Sequence, residues 1–133
     1  MNLSYVVDTD WAIDHLNKVV RVAEKLTELR PQGVALSVIS LAELYEGSCY
    51  CKDPTTSERM LRAFLRNFPV LGIDEEICQV FGKERGRLRK EGRMIGDFDL
   101  MIAATCLCHN LTLLTNNRKH FGMVEGLRII SLS

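Results

Sequence analysis

The sequence predicts an α/β fold of three layers, with a central parallel five-stranded sheet and helices on both faces. Three observations carry this reading. Short, continuously apolar runs recur along the chain at Leu3–Val7, Val34–Val38, Val70–Ile73, Leu111–Leu114 and Leu127–Leu132. Continuous rather than alternating apolarity marks strands that are covered on both faces. Between these runs, apolar residues recur at helical spacing, and strand–helix alternation over a whole chain implies a parallel sheet.

The bounds agree. At 133 residues the chain fits one domain spanning 1–133. A chain of this size buries roughly two-thirds of the surface it exposes when unfolded, enough for a core without staples. The 47% hydrophobic content argues against disorder. Lys+Arg equals Asp+Glu at 17 each, so overall charge points to no partner. The start, Met1-Asn2-Leu3-Ser4, lacks a basic patch followed by a long apolar stretch. No apolar run approaches the ~18 residues of a membrane span. The expectation is a soluble, cytoplasmic protein without a membrane partner.

Taken in order, Leu3–Val7 is a buried strand that stops abruptly at Asp8-Thr9-Asp10. From Trp11 the spacing of Ile13, Leu16, Val20, Ala23 and Leu26 predicts one or two helices reaching Arg30, broken by Pro31-Gln32-Gly33. After the second strand, Ser40 suits an N-cap with Glu43 as its capping-box partner. Cys49–Thr56 reads as a loop, and Asp53-Pro54 starts a helix with Leu61, Phe64, Leu65 and Phe68 on one face. Pro69 ends it before the third strand. Asp74-Glu75-Glu76 opens a longer helix anchored by Ile77, Val80, Phe81 and Leu88, with Gly82 and Gly86 weakening its middle.

The stretch from Arg93 organises the rest. Gly96 permits a tight entry, and Asp97 and Asp99 stand directly before a run that is apolar or small on nearly every side. A helix apolar all round is buried. Its positive N-terminal end favours negative charge, and one of the two acids serves readily as an N-cap. Two acids exceed that need. Thr115-Asn116-Asn117 then forms a polar loop after the fourth strand.

In open parallel sheets, ligands bind beyond the C-terminal ends of the strands. Asp8 follows strand one, Glu43 lies early in the helix after strand two, Asp97 and Asp99 open the helix before strand four, and Asn117 lies past strand four. Each has a structural explanation: turn residue, capping-box acid, helix-dipole acid. Together they put several acids on one edge. Two carboxylates about 5 Å apart repel by about 3 kcal/mol at an effective dielectric of 20. Such a group calls for a divalent cation or raised pKa values. Oxygen ligands suit Mg²⁺ or Mn²⁺, and a metal held by acids in an open cleft suits phosphate-ester hydrolysis.

Tyr5-Val6-Val7-Asp8-Thr9, Ile39-Ser40-Leu41-Ala42-Glu43-Leu44-Tyr45-Glu46-Gly47, Ile95-Gly96-Asp97-Phe98-Asp99-Leu100-Met101-Ile102-Ala103-Ala104, and Leu114-Thr115-Asn116-Asn117 with His120-Phe121 together resemble the PIN-domain family. The resemblance is specifically to VapC-type toxin ribonucleases of toxin–antitoxin pairs. It implies a PIN-like fold, a Mg²⁺-dependent endoribonuclease acting on RNA, a homodimer, and inhibition by a cognate antitoxin. It also implies Asp8, Glu43 and Asp99 as catalytic, metal-holding acids, with Thr9 and Thr115 lining the pocket. The family's optional fourth acid falls on Asn117, an amide that supplies no charge. Asp97 stands close enough to serve as a further catalytic acid, and equally suits the N-cap.

Lys83, Arg85, Arg87, Arg89, Lys90 and Arg93 precede the acidic stretch, against only Glu84 and Glu91. Local positive charge there could hold RNA phosphates, through Arg85, Arg89 and Arg93, or be a solvated helix face. Packing in the core or a dimer suits Trp11, Phe98 and Tyr45 better than base stacking. Cys49, Cys51, Cys78, Cys106 and Cys108 lack zinc-site spacing, and are expected to be reduced and mostly packed. An aspartyl-phosphate phosphatase would want Thr where Ala12 stands. The remaining alternative is a catalytically silent PIN-fold interaction module, which the three acids oppose.

Overall fold

The computed structural model describes residues 2–132. Five parallel strands, β1 (Tyr5–Val7), β2 (Val34–Ser37), β3 (Val70–Leu71), β4 (Thr112–Leu114) and β5 (Ile129–Ile130), form one sheet in the order β3-β2-β1-β4-β5. The expected strands are present, each shorter than its apolar run. Seven helices connect them: α1 (Thr9–Leu16), α2 (Val20–Leu29), α3 (Val38–Cys49), α4 (Pro54–Leu65), α5 (Glu75–Lys90), α6 (Asp97–His109) and α7 (Arg118–Phe121).

Alternate residues of each strand feed opposite cores. Val7, Leu36 and Leu114 join Trp11, Leu26, Leu44, Leu61 and Phe64 on one face. Val6 and Leu113 join Leu88, Leu100, Ile102, Ala103 and Phe121 on the other. That is the three-layer arrangement expected of strands apolar on both sides.

The stretch between β1 and β2 resolves into two helices, separated at Lys18, whose φ of 61° lies in the left-handed region. A 3₁₀ turn at Arg30–Gln32 leads to Gly33, with φ of 91°. A Cβ at Gly33 would run into the backbone of Asn2 and Leu3, so only glycine lets this turn close against the first strand.

Two local expectations are corrected. The N-cap of α3 is Ser37, whose hydroxyl accepts from the Ile39 N–H at 3.1 Å, so Ser40 lies inside the helix and Glu43 one turn further in. The cysteines are all free, but Cys49, Cys51 and Cys78 are exposed and only Cys106 is buried. The cause is placement: Cys49 and Cys51 close the end of α3, and α5 turns Cys78 to solvent. Despite Gly82 and Gly86, α5 runs unbroken. No helix is long and apolar enough to cross a membrane among the described residues.

Candidate active site

The chain leaves β1 with β2 on one side and β4 on the other, which makes the C-terminal end of β1 a topological switch point. Val7 and Leu114 are register partners, so Asp8 and Thr115 emerge side by side. The Asp8 N–H donates to the Leu114 carbonyl at 2.9 Å. The Thr115 hydroxyl donates to Asp8 Oδ2 at 2.7 Å, while Asp8 Oδ1 accepts from the Thr9 N–H at 2.8 Å and caps α1. Asp8 is therefore both cap and buried acid, 5% exposed.

Glu43 arrives from α3. The Thr9 hydroxyl donates to Glu43 Oε1 at 2.7 Å, and the buried Ser40 hydroxyl lies 2.8 Å from the same Thr9 oxygen. This bridge brings the α3 acid to the β1–α1 turn. Inside α3, Ser40 and Glu43 stand three residues apart, about 300° around the helix, and so share the face turned to Thr9.

Asp99 arrives from α6. Gly96 is the N-cap of that helix and makes no side-chain cap bond, so neither Asp97 nor Asp99 caps it. Asp99 is half-buried. Burial raises its pKa, His120 on α7 opposes the rise, and Asp10 adds to it. Asp8 is pushed up to about 7 by burial, held back by the Thr115 hydroxyl, pushed further by Asp10, held back by the Thr9 N–H, and pushed further by Asp99. Asp8, Asp10 and Asp99 thus share one electrostatic site.

Asp10 and His120 are the residues that sequence reasoning missed. Asp10 stands in Asp8-Thr9-Asp10, where the first strand stops, and only its partners across the sheet mark it as part of the site. Asp97 goes elsewhere: its Oδ1 accepts from Arg85 Nη2 at 2.7 Å. The expectation of Arg85, Arg89 and Arg93 as one basic face is corrected in the same stroke. Arg85 is buried, donating also to the Ile95 carbonyl at 3.0 Å and lying over the Phe81 ring. Arg89 and Arg93 are exposed, with Arg93 3.6 Å from Glu91. Asn117 sits at the rim, its N–H donating to Thr115 Oγ1 at 3.1 Å and its amide nitrogen 3.3 Å from His120 Nδ1. Trp11 is fully buried, Tyr45 packs against the core, and Phe98 is 58% exposed.

Among the described residues, no Lys or Arg forms an ion pair with Asp8, Asp10, Asp99 or Glu43. Nor do three or more His, Cys, Asp or Glu side chains already stand in ligating geometry. Glu43 is turned onto Thr9, and Asp10 accepts from the Asn116 N–H at 3.0 Å. The donor set is nevertheless all oxygen and acidic, with no Lys or Arg paired to it among the described residues and His120 as the basic group beside Asp99. That chemistry suits a hard divalent cation.

Acids gathered at the switch point of a five-stranded parallel sheet, with a hydroxyl from the neighbouring strand end, define a class, and the chain belongs to the PIN domain family, whose model matches residues 5–126. Within that family its relatives are VapC proteins. Ribonuclease VapC1 of Methanocaldococcus jannaschii is 37% identical over 126 residues, covering 93% of this chain and 85% of that protein. The tRNA(fMet)-specific endonuclease VapC of Shigella flexneri is 31% identical over 127 residues, covering 95% and 96%. Among solved structures, a chain of VapBC2 from Rickettsia felis, bound to a DNA fragment from its promoter, superposes with a TM-score of 0.93 at 28% identity, covering 98% of this chain and all of that one.

Proposed function

We propose that this protein is a Mg²⁺-dependent endoribonuclease that hydrolyses RNA phosphodiester bonds as the toxin of a toxin–antitoxin pair. The observation that carries the metal dependence is Asp8. A carboxyl buried at a strand end and flanked by Asp10 and Asp99 has its charged form disfavoured, its pKa pushed up to about 7, and a bound cation would offset that burial and repulsion. Its relatives, named as ribonucleases and endonucleases, support the nuclease reading.

Asp8 and Asp99 would hold the ion, with Glu43 joining by release from Thr9. When bound, Mg²⁺ (or Mn²⁺) supplies Lewis-acid activation of water and charge stabilisation at the leaving oxygen. The Thr115 hydroxyl keeps Asp8 oriented through its 2.7 Å bond. Thr9 holds Glu43 in reserve beside the site. Arg89 and Arg93, both exposed, would hold RNA phosphates. The VapBC structures that resemble this chain support a small antitoxin as its protein partner, and we propose a homodimer as the toxin's own assembly.

The test is incubation of the purified protein with total RNA in the presence of Mg²⁺, Mn²⁺ or excess chelator. Cleavage that needs the metal is expected. Cleavage that persists in chelator would refute the metal role, and no cleavage under any condition would favour the interaction module.

A further inference from the structure

We propose that Asp10 is a positioning residue whose carboxylate clamps the β4–α7 loop onto the β1–α1 turn, so that Thr115 is held in register to donate to Asp8. The inference rests on the nuclease reading for its consequence, but its geometry stands independently. Asp10 Oδ1 accepts from the Trp11 N–H at 2.7 Å, and Oδ2 accepts from the Asn116 N–H at 3.0 Å. The carboxylate thus joins a free N–H of the first turn of α1 to a loop residue more than a hundred positions away in sequence.

The loop is held at successive residues. The Thr115 hydroxyl has one hydrogen; at 2.7 Å it goes to Asp8, whereas Asp10 Oδ2 lies at 3.4 Å. Thr115 Oγ1 in turn accepts from the Asn117 N–H at 3.1 Å. The Asn116 side-chain oxygen accepts from the indole N–H of buried Trp11 at 3.0 Å and from the Leu132 N–H at 2.8 Å. The Ser131 hydroxyl closes the arrangement on the Thr115 carbonyl at 2.5 Å. Of these tethers, only that of Asp10 joins a carboxylate to a backbone N–H of the loop, and charge-assisted bonds are about twice as strong as neutral ones.

A chain could cap these N–H groups with a neutral acceptor and avoid adding a like charge beside Asp8 and Asp99. Asp10 accepts that repulsion and uses both oxygens for holding. A small misplacement of an acid can cost about a hundredfold in rate, so the clamp is expected to act on turnover rather than on substrate binding.

The experiment compares Asp10→Ala and Asp10→Asn by two readouts: amide hydrogen exchange in the protein without RNA, and steady-state RNA cleavage. In Asp10→Ala, exchange at Asn116 should quicken by about tenfold or more. Its kcat should fall about 30- to 100-fold with KM little changed. Asn retains an acceptor oxygen for the Asn116 N–H, so Asp10→Asn should keep most protection and recover kcat to within about fivefold of wild type. Unchanged Asn116 exchange in Asp10→Ala would overturn the clamp. So would an Asp10→Asn variant that keeps protection yet loses as much kcat as alanine, because Asp10 would then act through charge. Should Asp10→Ala fail to fold, Asp10→Ser takes its place, because its hydroxyl oxygen is one bond too short to reach the Asn116 N–H. Quickened Asn116 exchange in that variant supports the clamp, and unaltered exchange there removes it. Exchange decides the clamp even if the wild-type protein proves to have no nuclease activity.

Discussion

The guanidinium of Arg85, buried between α5 and the entry to α6, holds the Asp97 carboxylate at 2.7 Å and the Ile95 carbonyl at 3.0 Å. The two partners are unequal. The Arg85 side chain is 11% exposed and that of Asp97 84%. Arg85 also lies 5.5 Å from the Phe81 ring centre. The pair therefore anchors the turn from which Asp99 springs, and it spends the charge of both residues on structure. Arg85→Ala should cost about 1–3 kcal/mol, because it deletes a carbonyl bond, an ion pair and a ring contact at a buried site. Asp97→Ala, at an exposed partner, should cost about 1 kcal/mol or less and leave cleavage largely intact. Chemical denaturation and a cleavage assay of both variants check this; an inactive but stable Asp97→Ala would return that acid to the catalytic set.

Asp8→Asn or Asp99→Asn should lower RNA cleavage by at least about a hundredfold while the protein stays folded. Asparagine keeps the side-chain shape, and at Asp8 it keeps an oxygen for the Thr9 N–H. Circular dichroism and cleavage of total RNA measure the two effects. Near wild-type cleavage in either variant would remove the proposed chemistry.

Glu43 offers a cleaner separation than a capping residue could. Since Ser37 caps α3, Glu43→Gln leaves the helix start untouched and retains an acceptor for Thr9. Activity should fall with the melting temperature shifted by no more than a degree or two, on the scale of a surface change. A variant equally destabilised and inactivated would assign Glu43 to the fold.

Metal should stabilise the folded chain. The cation binds acids that converge only after folding, so at tenfold excess over Kd it adds about 1.4 kcal/mol. Melting in chelator and in millimolar Mg²⁺ should show this shift for wild type. Asp99→Asn should show little or none. Equal shifts in both proteins would mean that the ion binds elsewhere.

The apo protein should lose stability as pH rises. Asp8 lies near 4 when unfolded and near 7 when folded, so between these values the native state binds the additional proton. Its contribution is complete below about pH 4 and is lost as pH climbs to about 7, at a limiting slope of about 1.4 kcal/mol per pH unit. Denaturation of wild type and Asp8→Asn in chelator across this window isolates the effect. A difference between them that does not change with pH would show that Asp8 titrates normally.

How much was legible in the chain itself follows physical range. Strand positions, the two-faced sheet, the helix starts at Asp53 and Asp74, and the gathering of Asp8, Glu43, Asp97 and Asp99 towards one sheet edge could all be read from apolar periodicity and turn chemistry, which act between near neighbours. The choice of Asp8, Glu43 and Asp99 came from the family resemblance. The motifs also pointed to the family. What only the tertiary structure decided is which of the neighbouring charges serve which end. Asp97 and Asp99 differ by two positions, so the first turn of α6 points them about 200° apart, one carboxylate to Arg85 and the other beside His120. Arg85 looks like its basic neighbours in sequence, yet α5 buries it because a charge can be buried when it is paired and hydrogen-bonded. Asp10 became visible only when β1 and β4 lay side by side and carried the Asn116 N–H to within 3.0 Å of it. Local sequence sets which residues can form a helix start or a strand end; pairing across the sheet sets which charges meet, because those contacts join residues that are distant along the chain.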